Sequence, residues 1–310
     1  MPLPLRWQWK IDRLRERVSG FFRSDPSNAR PQMCPSCGNL VGIKATKCHV
    51  CGANLRFGLA AASRSLGSLL PSASPVTYCL LTLCCLMYAI SVMLSIRMGA
   101  SMIPEGGGFS ALLNLGAIDT KASILLGSSL PLFYNIQEPW RFVTAVFLHG
   151  SLLHILFNMY ALMIVGPMAE EIYGSARYLF FYIFTGAIAY LPSSLLGYNS
   201  VGASGALMGL FGLMIAALGR QGGLGARMFR TNLITWVAFT FFMGFSPGSG
   251  VDNAAHIGGF VLGYVIGKVA SDRQPQGAGE RRRAYALAWA TGATVIACFV
   301  FMMMEFYQNR

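Results

Sequence analysis

Seven apolar windows, at about 76–96, 151–169, 177–197, 204–219, 231–246, 253–270 and 284–304, run through the chain. A helix needs roughly 20 mostly apolar residues to cross the hydrocarbon core of a bilayer. No other feature constrains the fold as tightly, because in lipid every backbone polar group must be satisfied within the protein. Composition agrees. Of the 310 residues, 54% are hydrophobic and 12% charged, whereas a soluble domain carries about 25% charged residues. The windows predict an all-α polytopic membrane protein, a helical bundle of seven transmembrane helices. The fourth and fifth windows are short or glycine-rich, and their limits are the softest.

Charge sets the orientation. Twenty of the 24 Lys and Arg residues fall in 1–75, around 170–177, in 220–230 and in 268–283; Arg97, Lys121, Arg141 and Arg310 are the other four. If the spans alternate, the first set shares one side, and the positive-inside rule makes that side cytoplasmic. The expected protein is therefore a multi-pass plasma membrane protein with a cytoplasmic N-terminus and an outer C-terminus. Its net charge of +12 reads as a topology signal. No nucleic-acid partner is expected, since the cations are spread over four segments. No apolar stretch precedes residue 76, so no cleavable signal segment is expected. Residues 1–30 form a basic tail containing Trp7, Trp9, Phe21 and Phe22. With Pro26 and Pro31 breaking its end, it reads as solvated rather than as a helix lying on the membrane.

Ahead of the first window, residues 34–51 read CPSCGNLVGIKATKCHVC. Cys34-x2-Cys37 and Cys48-x2-Cys51 have the spacing of two knuckles that present four thiolates to one structural Zn2+. Disulfides are the competing reading, but they rarely persist on the cytoplasmic side. The expectation is a zinc-ribbon module over 31–56, with all four positions filled by protein and none open for chemistry. A domain this small depends on its metal to fold, and a cytoplasmic protein partner is one role open to it. A linker over 57–75 leads to the six-helix core at 76–270, a basic loop at 271–283 and an additional C-terminal helix within 284–310.

An ionisable group inside a span is expensive and marks a functional site by default. Three of the four histidines, His149, His154 and His256, lie at or inside the spans. Following the chain back and forth across the bilayer places His154 and Asn158 in the outer part of the second span, on one helix face. The same counting puts Ser204 at the outer start of the fourth span and His256 in the first turn of the sixth. Three separate spans thus deliver these residues to one depth near the outer face. A serine hydroxyl needs an adjacent base to act as a nucleophile, and histidine suits that role. Free backbone N–H groups at the start of a helix, with His154 and Asn158, can hold a developing oxyanion. Gly202 and Gly205 keep the approach clear. Small residues recur once per turn at Ala255, Gly259, Gly263 and Gly267, which permits close contact between the fourth and sixth spans. No Asp is well placed as a third member, so the pattern is a Ser204–His256 dyad.

Taken together, these segments resemble the rhomboid family of intramembrane serine proteases. The resemblance covers roughly 76–270. It rests on Trp140-Arg141, on HGSLLHILFN with His149, His154 and Asn158, on Gly202-Ala203-Ser204-Gly205, and on AHIGGFVLG from Ala255 to Gly263. It implies six helices around a water-accessible cavity open to the outside, with 284–304 as the extra helix of six-plus-one members. It implies Ser204 as nucleophile, His256 as general base and acid, and His154, Asn158 and the Ser204 amide as oxyanion donors. Trp140 and Arg141 match the pair that anchors the first outer loop, and Gly259 and Gly263 the packing glycines. The implied reaction is hydrolysis of peptide bonds in or near transmembrane segments of single-span or multi-span membrane proteins in the bilayer, with no catalytic cofactor. The chain departs from the family at Met208, where many members have an aromatic residue stacked on the catalytic histidine. Two alternatives remain. One is an inactive rhomboid-like adaptor that binds client helices; the other is a transporter or metal site built on the three histidines.

Overall fold

The computed structural model describes residues 32–33, 39–42, 45, 48–50, 74–104, 109–245 and 250–308. The chain divides into two compact units, Met1–Leu66 and Gly67–Arg310. In the first, strand β1 (Gln32–Met33) pairs antiparallel with β2 (Leu40–Val41), Gln32 opposite Val41 and Met33 opposite Leu40. Val41 and Cys48 are buried there. Cys34, Cys37 and Cys51 lie outside the described residues, as do the tail at 1–30 and linker residues 57–73.

The second unit is helical. After α1 (Pro75–Arg97) come four short helices: α2 (Phe109–Leu113), α3 (Thr120–Leu125), α4 (Leu132–Gln137) and α5 (Arg141–Thr144). A 3-10 turn at Ala145–Phe147 follows, and then α6 (Leu152–Tyr173), α7 (Ser175–Leu195), α8 (Ser204–Leu218), α9 (Leu224–Gly244), α10 (Asn253–Val269) and α11 (Ala278–Gln308). Each apolar window coincides with one of the longer helices. Among the described residues, α1, α6, α7 and α11 are long and apolar enough to cross a membrane by length and composition. At 15 residues, α8 spans only about 22 Å, short of a hydrocarbon core of about 30 Å. It tolerates this because every residue from Gly205 to Leu218 is buried, so protein rather than lipid surrounds it. By contrast, the 31 residues of α11 reach about 46 Å, well beyond the apolar window, and its first turns carry Glu280 and Arg281–Arg283.

The most extensive helix pair is α8 with α10, and glycine is the reason. A Cβ on Gly259 would collide with the carbonyl oxygen of Gly205, and one on Gly263 with that of Gly209. On Gly267 it would stand 2.6 Å from the Leu213 oxygen. The two backbones therefore touch over three turns, the approach that a stripe of small residues permits between membrane helices.

At the opposite end of the bundle a buried carboxylate ties three helices. The Glu170 side chain of α6 accepts from the backbone N–H groups of Val76 and Thr77, both at 3.0 Å, from Thr77 Oγ1 at 2.9 Å and from Ser175 Oγ at 2.6 Å. The N-cap residue of α1, Ser74, makes no side-chain cap bond. Glu170 fills that office from a neighbouring helix, and it meets the positive end of the α1 dipole.

Candidate functional site

The segment entering α8 is pinned before the helix begins. Ser200 and Ser129 exchange backbone hydrogen bonds of 2.9 and 3.0 Å in an antiparallel bridge. Gly202 donates its N–H to Ala145 O at 3.0 Å, and the buried Tyr190 hydroxyl donates to Gly202 O at 2.6 Å. Gly202 has φ of +132°, a backbone conformation that side chains disfavour. The chain then turns into α8 with Ser204 as its first residue and Ala203 as N-cap. Alanine offers no oxygen to the first-turn N–H groups. The starts of α6 and α10 differ, being capped by Ser151 and Asp252. The helix carrying the serine is left open where an anion would sit.

Gly202 also makes room for a side chain. A Cβ there would lie 2.7 Å from His154 Nε2 and 3.6 Å from Ser204 Oγ, so both groups converge on the space above its Cα. The other ring nitrogen of His154, Nδ1, accepts from the Gly150 N–H at 3.3 Å. A neutral imidazole has one donor and one acceptor nitrogen. With Nδ1 accepting, the proton rests on Nε2, which faces the serine as a donor. His149 packs edge-on against His154 with ring centroids 5.2 Å apart. It is buried.

Asn158, one turn below His154, is buried and donates Nδ2 to the His154 carbonyl at 2.8 Å. One amide hydrogen is thereby turned back onto its own helix. His256 is buried in the first turns of α10, and its Nδ1 has no hydrogen-bond partner among the described residues. A Cβ on Gly205 would sit 3.9 Å from the Ala255 carbonyl; the neighbours of Ser204 and His256 are thus in contact across the helix pair. No hydrogen bond links Ser204 Oγ to His256 among the described residues.

Met208, expected beside the histidine, is buried. The aromatic neighbour comes from elsewhere: Phe241 of α9 meets His256 edge-on, centroids 6.2 Å apart and planes at 78°. Asn253 of α10 donates to the Phe241 carbonyl at 3.4 Å, tying the two helices at that point. The sequence reading missed Phe241, because the ring reaches His256 from a helix fifteen residues upstream rather than from a neighbouring turn.

Trp140 and Arg141 knit the segment between α1 and α6. The Arg141 guanidinium lies 4.6 Å from the Trp140 ring centroid, pairs with Glu138 and donates to the carbonyls of Ile124 at 2.8 Å and Ser128 at 3.3 Å. A planar fork suits such multiple acceptors. Thr144 donates to Gly127 O at 2.7 Å, closing the same loop. A second tie, also missed, is Asp252. Besides capping α10 through Ala255 N at 3.0 Å, it accepts hydrogen bonds from the hydroxyls of Ser193 and Ser200.

Residues 137–273 match the rhomboid domain family. The chain is 32% identical over 153 residues to rhomboid protease GluP of Bacillus subtilis, covering 49% of this chain and 30% of that protein. It is 33% identical over 154 residues to the putative rhomboid protease YdcA of Bacillus subtilis, covering 46% of this chain and 77% of that protein. It is also 34% identical over 129 residues to a protein named inactive RHOMBOID-like protein 8 of Arabidopsis thaliana, covering 40% of this chain and 36% of that one. Across three of the curated relatives, the chain spans between 30% and 57% of the relative's length.

Proposed function

Since the chain belongs to the rhomboid family, and relatives such as GluP and YdcA are named as proteases, we propose that it is an intramembrane serine protease working through Ser204 and His256. The observation that carries this reading is the convergence of Ser204 Oγ and His154 Nε2 above Gly202 at an uncapped helix start. His256 removes the Ser204 proton as Oγ attacks a peptide carbonyl. The carbonyl oxygen becomes an oxyanion and accepts from the Ser204 N–H, His154 Nε2–H and Asn158 Nδ2–H. His256 then gives its proton to the departing amine, leaving an acyl-enzyme ester on Ser204. Water, deprotonated by His256, cleaves that ester and restores both groups.

Substrates on this reading are single-span or multi-span membrane proteins, cut where the helix unwinds. Helical backbone carbonyls are already paired and cannot reach the serine. The bundle has seven spans with the N-terminus cytoplasmic and the site near the outer face of a cell membrane. The distribution of Lys and Arg supports that orientation, and each apolar window coinciding with a helix supports the count. The four cysteines at 34, 37, 48 and 51 hold a structural Zn2+, which keeps a short hairpin folded and takes no part in catalysis. Support comes from the donor set, four thiolates at knuckle spacing, and from the antiparallel pairing of β1 with β2 in the same unit.

The test is cleavage of a single-span model substrate by the purified protein in detergent. Wild type cuts and Ser204→Ala does not. Equal cutting by the alanine variant refutes the assignment, and no cutting by either favours the adaptor; one relative is named as inactive.

A further inference from the structure

Reading the site as a Ser204–His256 protease, we propose that Asp252 is a positioning residue that fixes the histidine helix against the serine loop. The geometry is a three-way clamp. One carboxylate oxygen, Oδ1, accepts the Ala255 N–H at 3.0 Å and sets the start of α10, four residues before His256. The other, Oδ2, accepts from Ser193 Oγ at the end of α7 and from Ser200 Oγ in the segment leading to Ser204. The two hydroxyls also lie 2.8 Å from each other. Ser193 and Ser200 are buried and Asp252 is half-buried, so water competes little for these bonds, and charge-assisted bonds are the stronger kind.

Sequence distance shows what the clamp joins. Ser200 lies four residues before Ser204, and its backbone is already paired with Ser129. Asp252 lies four residues before His256. One carboxylate thus connects the two catalytic side chains through equal, short stretches of backbone, one entering α8 and one entering α10. The glycine contacts between α8 and α10 set how close the two helices lie. Small residues along both faces leave sliding along the pair less restrained, and the clamp restrains it at the end where the chemistry occurs. Asp252 does not act as a third triad member, because its carboxylate is turned to Ala255, Ser193 and Ser200 and His256 Nδ1 has no hydrogen-bond partner among the described residues.

A misplacement of about 1 Å at a catalytic pair costs on the order of 10²-fold in rate. Asp252→Ala in the full-length protein is therefore expected to lower kcat, and the rate at which a fluorophosphonate labels Ser204, by roughly 10- to 100-fold with KM unchanged. Asp252→Asn should recover most of the loss, because its Oδ1 still caps Ala255 and its amide can donate to the serine hydroxyls. The double variant Ser193→Ala/Ser200→Ala keeps the α10 cap and cuts only the tie to the serine loop. It is expected to lose labelling rate while still folding, with a lower unfolding midpoint than wild type, and it serves as the test should Asp252→Ala fail to fold. If wild type labels and the double variant labels equally fast, the inference is wrong. It is equally wrong if Asp252→Asn is as slow as Asp252→Ala. If wild type itself does not label, it is the protease reading that fails.

Discussion

At the site, residues are recruited from places that differ greatly in how visible they are in the sequence. Ser204, His154, Asn158 and His256 stand out because polar side chains are rare in apolar helices. Phe241 does not stand out, being one of 21 phenylalanines; only the folded arrangement puts its ring against His256. An edge-on aromatic contact is worth about 0.5–1.5 kcal/mol. If it steadies the histidine in the transition state, Phe241→Ala lowers kcat by about two- to tenfold, since 1.36 kcal/mol is tenfold in rate. Steady-state cleavage of a model substrate reads this, and an unchanged kcat would show that the ring is only packing. Asp252 was invisible for a related reason. A search for a triad asks which acid can reach the histidine, whereas this acid turns towards two serines instead.

Among the elements, the α8–α10 pair was legible and the cross-helix cap at Glu170 was not. Small residues once per turn in 255–267 announce a close helix contact by period alone, and the structure places Gly259 and Gly263 against the backbone of α8. Period says nothing about Glu170, whose partners on α1 lie more than 90 residues away in sequence. The contact makes a clear prediction. Gly263→Ala drives a methyl into the Gly209 carbonyl, an overpacking that costs about 1–3 kcal/mol. Its unfolding midpoint in detergent should fall by several degrees. Gly292→Ala in α11, where nothing lies within 4 Å of the added carbon, should leave the midpoint where it was. Equal midpoints for the two variants would contradict the contact.

For the molecule as a whole, composition and hydropathy located every long helix, with differences at the ends that have physical causes. Both α9 and α11 begin six or seven residues before their windows, because Arg-bearing turns remain helical after the apolar run has stopped. The proposed zinc site and the proposed serine chemistry fall in different units, Met1–Leu66 and Gly67–Arg310. The full chain is expected to carry one Zn2+, lost in Cys34→Ser with Cys51→Ser, while serine labelling continues in that variant. Metal analysis beside labelling checks this, and zinc retained by the double serine variant would contradict the four-thiolate site. The most direct test of the central claim is to treat the full-length protein with a fluorophosphonate and locate the adduct by mass spectrometry. The account predicts one modified residue, Ser204, with labelling lost in His256→Ala. Labelling at another residue, or undiminished labelling without His256, would contradict it.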